Sequence, residues 1–521
     1  MDRMKHRPAA VAAAALATFM FAASCVQPLP LLDYVERKVE EAQAELYPTA
    51  VFKQGATTIS SGGTITYPAT IRTQTANLTF TIQNTGSANL SLGAPAVQIG
   101  GTNAANFTLT SAPANPVTPS GSTTFTLRFA PSAVQAYSAT VTVNSNDPTY
   151  PAFTFNIAGS GTEWHGIATV DSANDVGKHA EIGVSGSSVF IAYQDTTNGD
   201  LVVQRSINAA LGWSDRYTPD TDAAGYYNSM VIAGSNVFVC YQAMPSNYPR
   251  LKIARGTDGT SWGITNIDTT IGVGDHSSIA WDGSTRFIVG YSDGSSIHVA
   301  ESADGWTGWS KDFSSFSRAG DEVAVAASPG ATSGFGTGGY FIGSHSSSNL
   351  VVDNYNYNNE PIPWIAGNGD IGVNDQGTNI DAVMGSTSTV YFAYHDVTSA
   401  NLKFVKTTRS YNSFSYSYVL SSTTPVTIDS TGDVGKYASI ACSADGTTIY
   451  ISYYDATNGN LKLAKSTNSG STWSVQTVDS TGNVGQYSSV AVNGSVVYIA
   501  YYDVTNTALK VAKSLDGGAT W

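Results

Sequence analysis

The chain has 521 residues, 42% hydrophobic and only 12% charged, with 50 Gly, 28 Tyr and 9 Trp. That length accommodates about two to four domains, and the low charge excludes a long disordered chain or an extended coiled coil. Its 25 basic and 39 acidic residues leave −14 with no basic cluster, which argues against nucleic acid as a partner, and 3 cysteines exclude a disulfide scaffold and a Cys-based zinc module.

Arg3, Lys5 and Arg7 form a positive start, and PAAVAAAALATFMFAA follows as an apolar run too short for a comfortable membrane span. It ends in Ala22-Ala23-Ser24-Cys25. Small residues before a cysteine resemble the lipobox of bacterial lipoproteins, although Ala22 stands where that motif favours Leu. The resemblance implies residues 1–24 as a lipoprotein signal peptide, acylation of Cys25, and a place on the bacterial outer membrane or cell surface. Ordinary signal-peptidase cleavage near the same residues, with Cys25 incidental, is the alternative. Cleavage before Cys25 removes three basic residues and one acid, which moves the net charge from −14 to −16. Within residues 25–50, Leu31, Val35, Val39, Ala42 and Leu46 fall at spacings of three or four. That stripe predicts a short helix in a lipidated tether.

Residues 51–161 lose the helical period and alternate. ANLTFTIQNTG, STTFTLRFAP, YSATVTVNSNDP and AFTFNIAGSG read as strands between turns. Leu78, Phe80 and Ile82 share one face, as do Phe125, Leu127 and Phe129. About seven short strands in this length predict an Ig-like β-sandwich. The turn Asn84-Thr85-Gly86, the strand end Phe129-Ala130-Pro131, Ser145-Asn146-Asp147-Pro148 and Gly159-Ser160-Gly161 resemble the ASPM/SPD-2/Hydin family of Ig-like domains, the choice-of-anchor D-like type. That resemblance implies a spacer or interaction module without catalysis. Asn146 and Asp147 read as a turn start rather than a calcium site.

Residues 162–521 repeat. DSTGDVGKYASIACSADGTTIYISYYDATNGNLKLAKSTNSGSTW and DSTGNVGQYSSVAVNGSVVYIAYYDVTNTALKVAKSLDGGATW are two copies of one unit. A strand ending in Tyr serves as ruler: Tyr193, Tyr241, Tyr291, then Ser344, then Tyr394, Tyr453 and Tyr501, in steps of 48, 50, 53, 50, 59 and 48 residues. Four strand-like pieces per step predict one propeller blade each, and hence seven blades. WHGIATVDS, from Trp164, matches the fourth-strand words WSVQTVDS, from Trp473, whereas the seventh unit stops at Trp521. The N-terminal piece is therefore expected to complete the last blade and remove its exposed edge. The fold class is all-β: an Ig-like β-sandwich followed by a seven-bladed β-propeller closed by an N-terminal outer strand.

Ser514, Asp516, Gly518 and Trp521 fit the spacing S-x-D-x-G-x-x-W, and Ser466, Asn468, Gly470 and Trp473 fit it with Asn for Asp. This resembles the Asp-box, or BNR repeat, of sialidase-like propellers. The physics is local: the Asp caps backbone N–H groups and the Trp packs between strands. A sialidase of this kind implies three arginines on the sugar carboxylate, a Tyr nucleophile paired with Glu, and an Asp acid/base. From residue 164 onward stand Arg205, Arg216, Arg250, Arg255, Arg286, Arg318 and Arg409, none in an Arg-Ile-Pro motif, and Glu181, Glu301, Glu322 and Glu360. The resemblance carries fold, and no catalytic residue is assigned.

The rim opposite the Asp-box turns repeats two columns. The first opens each blade with His179, Tyr227, His276, Tyr437 and Tyr487, and gives way to Gly320 and Ile380 in the fourth and fifth. The second follows the ruler by two residues: Asp195, Asp293, Asp396, Asp455 and Asp503. Aromatic faces beside carboxylates suit sugar C–H faces and hydroxyls, and repeated sites give avidity. Structural duty competes with this: Asp455 would cap the Asn458-Gly459 turn, and the aromatics would pack between blades. No blade combines a full metal-ligand set, no cofactor is implied, and Cys240 and Cys442 read as core thiols. The expected role is a lipid-anchored surface protein that binds a glycan or a surface or matrix protein without turnover. A diverged sialidase-like glycoside hydrolase and a structural envelope component are the alternatives.

Overall fold

The computed structural model describes residues 47–521 except 73, 208–211, 214, 258, 312–317, 320, 329–338, 347–348, 356–368, 371–376 and 413–416. The expected signal peptide, Cys25 and the expected tether helix lie outside the described residues. The chain forms two compact units, Met1–Trp164 and His165–Trp521. Both are built of strands; among the described residues the helical elements are two single turns, Ala104–Asn106 and Pro245–Asn247.

The first unit is two five-stranded sheets around one core. One sheet orders Thr57–Thr58, Ala50–Gln54, Ala76–Asn84, Ser122–Phe129 and Phe107–Ser111; the other is centred on Ala152–Thr162 and Ala136–Ser145. Alternation sets the buried face: Phe125, Leu127 and Phe129 are fully buried while Thr124 and Arg128 face out. Phe80 sits between Phe125 and Phe155 at ring distances of 5.1 and 5.3 Å, which fills the space between the sheets. The Asn-Asp-Pro words are stitching. Asp147 accepts the Ala50 and Thr149 N–H groups at 2.8 Å each, and Asn146 accepts the Ser91 N–H at 2.8 Å.

Among its described residues the second unit holds seven sheets of four or five strands, named first to seventh in chain order. Their inner strands are Val176–Ser185, Tyr226–Ala233, Asp275–Trp281, Val323–Ser328, Gly377–Ser386, Val434–Cys442 and Val484–Asn493. Each inner strand lies against the next, and Val484–Asn493 lies against Val176–Ser185. The N–H groups of Ile182, Ile279, Val325 and Val490 donate across these joints to Ser489, Ser229, Ser278 and Ser439, at 3.0–3.2 Å. The outer strand of the seventh sheet is Gly166–Asp171, paired antiparallel with Ala508–Ser514. The ruler tyrosines Tyr193, Tyr241, Tyr291, Tyr394, Tyr453 and Tyr501 are fully buried.

Five of these tyrosines reach the preceding sheet. Tyr193, Tyr241, Tyr291, Tyr453 and Tyr501 donate to Asp171, Asp220, Asp268, Asp429 and Asp479 at 2.5–2.8 Å. Each aspartate ends the outer strand of its sheet. Each also takes a cation, respectively Arg216, Lys252, Lys311, Lys462 and Lys510. Burial opposes ionisation of these groups, yet the hydroxyl, amide and cation partners outweigh it and hold Asp171, Asp268, Asp429 and Asp479 below the ordinary carboxylate range. A Tyr–Asp–cation clasp thus recurs at the joints between sheets.

The turns after the third strands are closed by side-chain caps. Asp516 accepts the Ala519 and Thr520 N–H groups at 3.0 and 2.9 Å, and Ser514 accepts that of Gly518 at 2.8 Å. Asn468 takes the Thr472 N–H at 2.9 Å, and the Trp473 indole donates to the Gly470 carbonyl at 3.1 Å. Gly470 is required: its φ is +84°, and a Cβ there would stand 2.3 Å from Phe404. Trp521 packs on the core between the sixth and seventh sheets. Cys240 is buried and Cys442 is partly covered.

Candidate functional site

Six of the inner strands carry a bulge near their start, where the pairing register skips. The residue in the bulge has positive φ: His179 52°, Tyr227 50°, His276 47°, Asn379 52°, Tyr437 54° and Tyr487 51°. Such backbone is uncommon for aromatic residues and is held only where surroundings over-determine it. Its effect here is to bring the side chains together. Tyr437–Tyr487, Tyr487–His179, His179–Tyr227 and Tyr227–His276 have ring-centroid distances of 4.5, 4.6, 4.9 and 4.4 Å. The five first-column residues therefore form one continuous aromatic arc and not seven separate sites. All five stay partly exposed.

The structure corrects the arc's two gaps. The bulge residue of the fifth sheet is Asn379, one before the expected Ile380. Gly320 lies outside the described residues. The corresponding place in the fourth sheet, two before the residue paired with the second strand, belongs to Glu322. Glu322 lies 3.7 Å from His276 Nε2 and accepts the Ile380 N–H at 3.3 Å. Asn379 accepts the Tyr437 N–H at 2.9 Å. Neither was legible as a column member, because the bulge shifts the count by one and the fourth sheet lacks it.

Burial sets the charge of this arc. It lowers His179 to about 3, with the charges of His276 and Lys178 adding, and it lowers His276. Burial raises Glu322 to about 7. Beneath the arc it also raises Glu181 and Asp381, and the Asp381 charge pushes Glu181 further. At neutral pH the imidazoles are uncharged, and burial shifts the neighbouring carboxyls towards their neutral, protonated forms. Such a surface suits neutral apolar faces.

The second column is used differently. Asp195, Asp455 and Asp503 are almost fully buried, and each accepts both the N–H and the side-chain amide of Asn198, Asn458 or Asn506 at 2.8–3.1 Å. Asp396 takes the Thr398 N–H, the Ser399 hydroxyl and Lys403. Asp293 takes the Ser295 and Ser296 N–H groups and His298, which hold it well below the carboxylate range against the opposing effect of burial. These carboxylates are engaged in forming their turns.

Beside the arc, between the fifth and sixth sheets, lies a cavity of about 310 Å³. Its walls include Thr378, Asn379, His395, Asp433, Lys436 and Tyr437. His395 Nε2 is 3.2 Å from Asp433 Oδ1, its Nδ1 is 3.3 Å from Thr378 Oγ1, and Lys436 pairs with Asp433. Among the described residues no group of three or more His, Cys, Asp or Glu is arranged to hold a metal ion.

No family model matches the chain, and no curated protein matches it. Solved structures do. A mutant Aleuria aurantia lectin in complex with alpha-methyl-L-fucoside is 15% identical, with a TM-score of 0.37, covering 61% of this chain and 96% of the lectin. The same lectin is described as a six-bladed β-propeller. A leech intramolecular trans-sialidase is 15% identical, with a TM-score of 0.37, covering 91% and 95% of the two chains. A Porphyromonas gingivalis W83 protein of unknown function is 17% identical, with a TM-score of 0.18, over 22% of this chain. The present chain spans about half, 48%, of that protein's length. At these identities and scores the likenesses decide neither ligand nor activity.

Proposed function

We propose that the second unit is a seven-bladed β-propeller that binds a glycan through the arc Tyr437–Tyr487–His179–Tyr227–His276, without turnover. The observation that carries this reading is the arc itself: five aromatic side chains in mutual contact, partly exposed, and held by positive-φ bulges. The rings, tilted 44–59° to one another, offer electron-rich faces to sugar C–H groups. Arg216 and Arg286 are committed to ion pairs with Asp171, Asp195 and Glu301, and Arg255 lies over Trp306, so they support a lectin-like role over the sialidase chemistry of the resemblance. In this reading the first unit is an Ig-like spacer of Hydin type, and the Asp-box turns are folding devices. Acylation of Cys25 would hold both at the outer membrane or cell surface.

A screen of the full chain against glycans and matrix proteins tests the reading. Binding should appear and should fall sharply in the Tyr437→Ala/Tyr487→Ala double variant; silence across the whole panel would sink it. A diverged glycoside hydrolase is the second reading, favoured by Glu322, whose raised pKa near 7 suits a general acid. Glycan turnover abolished by Glu322→Gln would establish it instead.

A further inference from the structure

The joints on either side of the seventh sheet offer a direct comparison for the joint between the fifth and sixth. Between the sixth and seventh sheets, Lys436, Tyr437 and Tyr454 occupy the places that Thr378, Asn379 and His395 hold between the fifth and sixth, as the strand registers establish. The Tyr454 hydroxyl crosses the joint to Asn483 at 2.8 Å. Between the seventh and first sheets, Gln486, Tyr487 and Tyr502 stand in the same places, and the Tyr502 hydroxyl reaches Asp175 at 2.7 Å. Large side chains fill both of these joints. At the fifth joint all three positions carry smaller side chains, and the 310 Å³ cavity opens there.

The lining defines the ligand. Lys436 and Asp433 neutralise each other, and His395 is held neutral by burial, so the wall carries polar groups but no net charge. Asp433, Lys436, Thr378 and Asn379 offer donors and acceptors, while Tyr437, Val397 and Ala400 offer apolar surface. The volume sits at the lower end of the roughly 300–1,000 Å³ typical of ligand pockets. That is room for one sugar ring and no long chain.

We infer that the cavity between the fifth and sixth sheets binds one uncharged monosaccharide residue per chain, with its hydroxyls on the Asp433–Lys436 pair and its C–H face on Tyr437. This rests on the glycan-binding reading and gives it a defined subsite at the end of the aromatic arc. The arc would then carry the rest of a longer glycan.

The test uses the full chain, a panel of neutral methyl glycosides and, as charged comparators, a uronate and a sialate, read by calorimetry and ligand-observed NMR. His395→Tyr should plug the cavity as Tyr454 and Tyr502 plug its counterparts, and so should preserve the fold. It is expected to weaken binding of the neutral glycoside by at least about tenfold, with one site in the parent. Ile264→Ala, an exposed residue on the outer strand of the second sheet, should leave that affinity within about twofold, and Tyr487→Ala should weaken a longer glycan. If no neutral monosaccharide binds the parent, or if His395→Tyr binds it unchanged, the subsite is refuted. Loss of longer-glycan binding in Tyr487→Ala would then still uphold the arc. A preference for the charged comparators also overturns the inference.

Discussion

Replacing Tyr501 with Phe tests the clasp that joins the sixth and seventh sheets. The variant keeps the buried ring and removes one hydroxyl, which donates to Asp479 at 2.8 Å. Asp479 retains Lys510 at 2.6 Å and the Thr481 N–H at 2.9 Å, so its charge is not orphaned. A hydrogen bond to a charged group contributes about 1.5–3 kcal/mol. For a unit of this size that corresponds to a loss of about 2–4 °C in Tm. The pH dependence has a definite sign. The folded pKa of Asp479 lies below its ordinary value of 3.8 because the lysine, amide and tyrosine bonds together outweigh burial. The clasp therefore contributes fully above that value and fades as pH falls through the folded pKa. Thermal unfolding of parent and Tyr501→Phe between pH 2.5 and pH 8 should give a constant gap above about pH 5 that narrows in acid. A gap under about 0.5 kcal/mol at pH 7, or one that persists undiminished at the acid end, would refute the reasoning.

Glu322→Gln should do the reverse. Burial raises this carboxyl to about 7, so the folded chain holds a proton that the unfolded chain releases, and parental stability falls as pH rises from about 4.5 to 7. The variant's Tm advantage should grow across that window, and a pH-independent offset would count against it. Gly470→Ala meets both positive φ and the Phe404 ring and should cost about 2–4 kcal/mol, whereas Gly494→Ala, with φ +61° and open space, should cost about 1 kcal/mol by chemical denaturation. Equal costs would mean that the close contact is relieved elsewhere. Cys25→Ala should abolish metabolic acyl labelling, and unchanged labelling would refute lipidation at that residue.

The repeat was legible because the second strand carries Tyr at six of the seven steps, and burial of that Tyr is a local matter of alternation. The tyrosine's partner was not. The words VDS, IDT, IDS and VDS stand in plain view at Asp171, Asp268, Asp429 and Asp479, but each aspartate serves the following sheet, and no periodicity reports a bond across that joint. The five arc residues could be found by column, yet their convergence depends on positive φ, which residue type does not announce outside glycine. The cavity lay deeper still. Thr378, Asn379 and His395 are each smaller than their counterparts in the sixth and seventh sheets, a signal visible only once the bulge register aligns the sheets.

The strand Gly166–Asp171 pairs with Ala508–Ser514, and Ile182 meets Ser489 across 307 residues of chain. During synthesis the opening strand must wait, unpaired, until nearly the whole unit has followed it. Such long-range closure slows folding, because loop entropy is lost before the final contacts form. Nascent or truncated chains would meanwhile present bare strand edges to one another. Chaperones that cover those edges until the last strand arrives would favour assembly of this topology over aggregation.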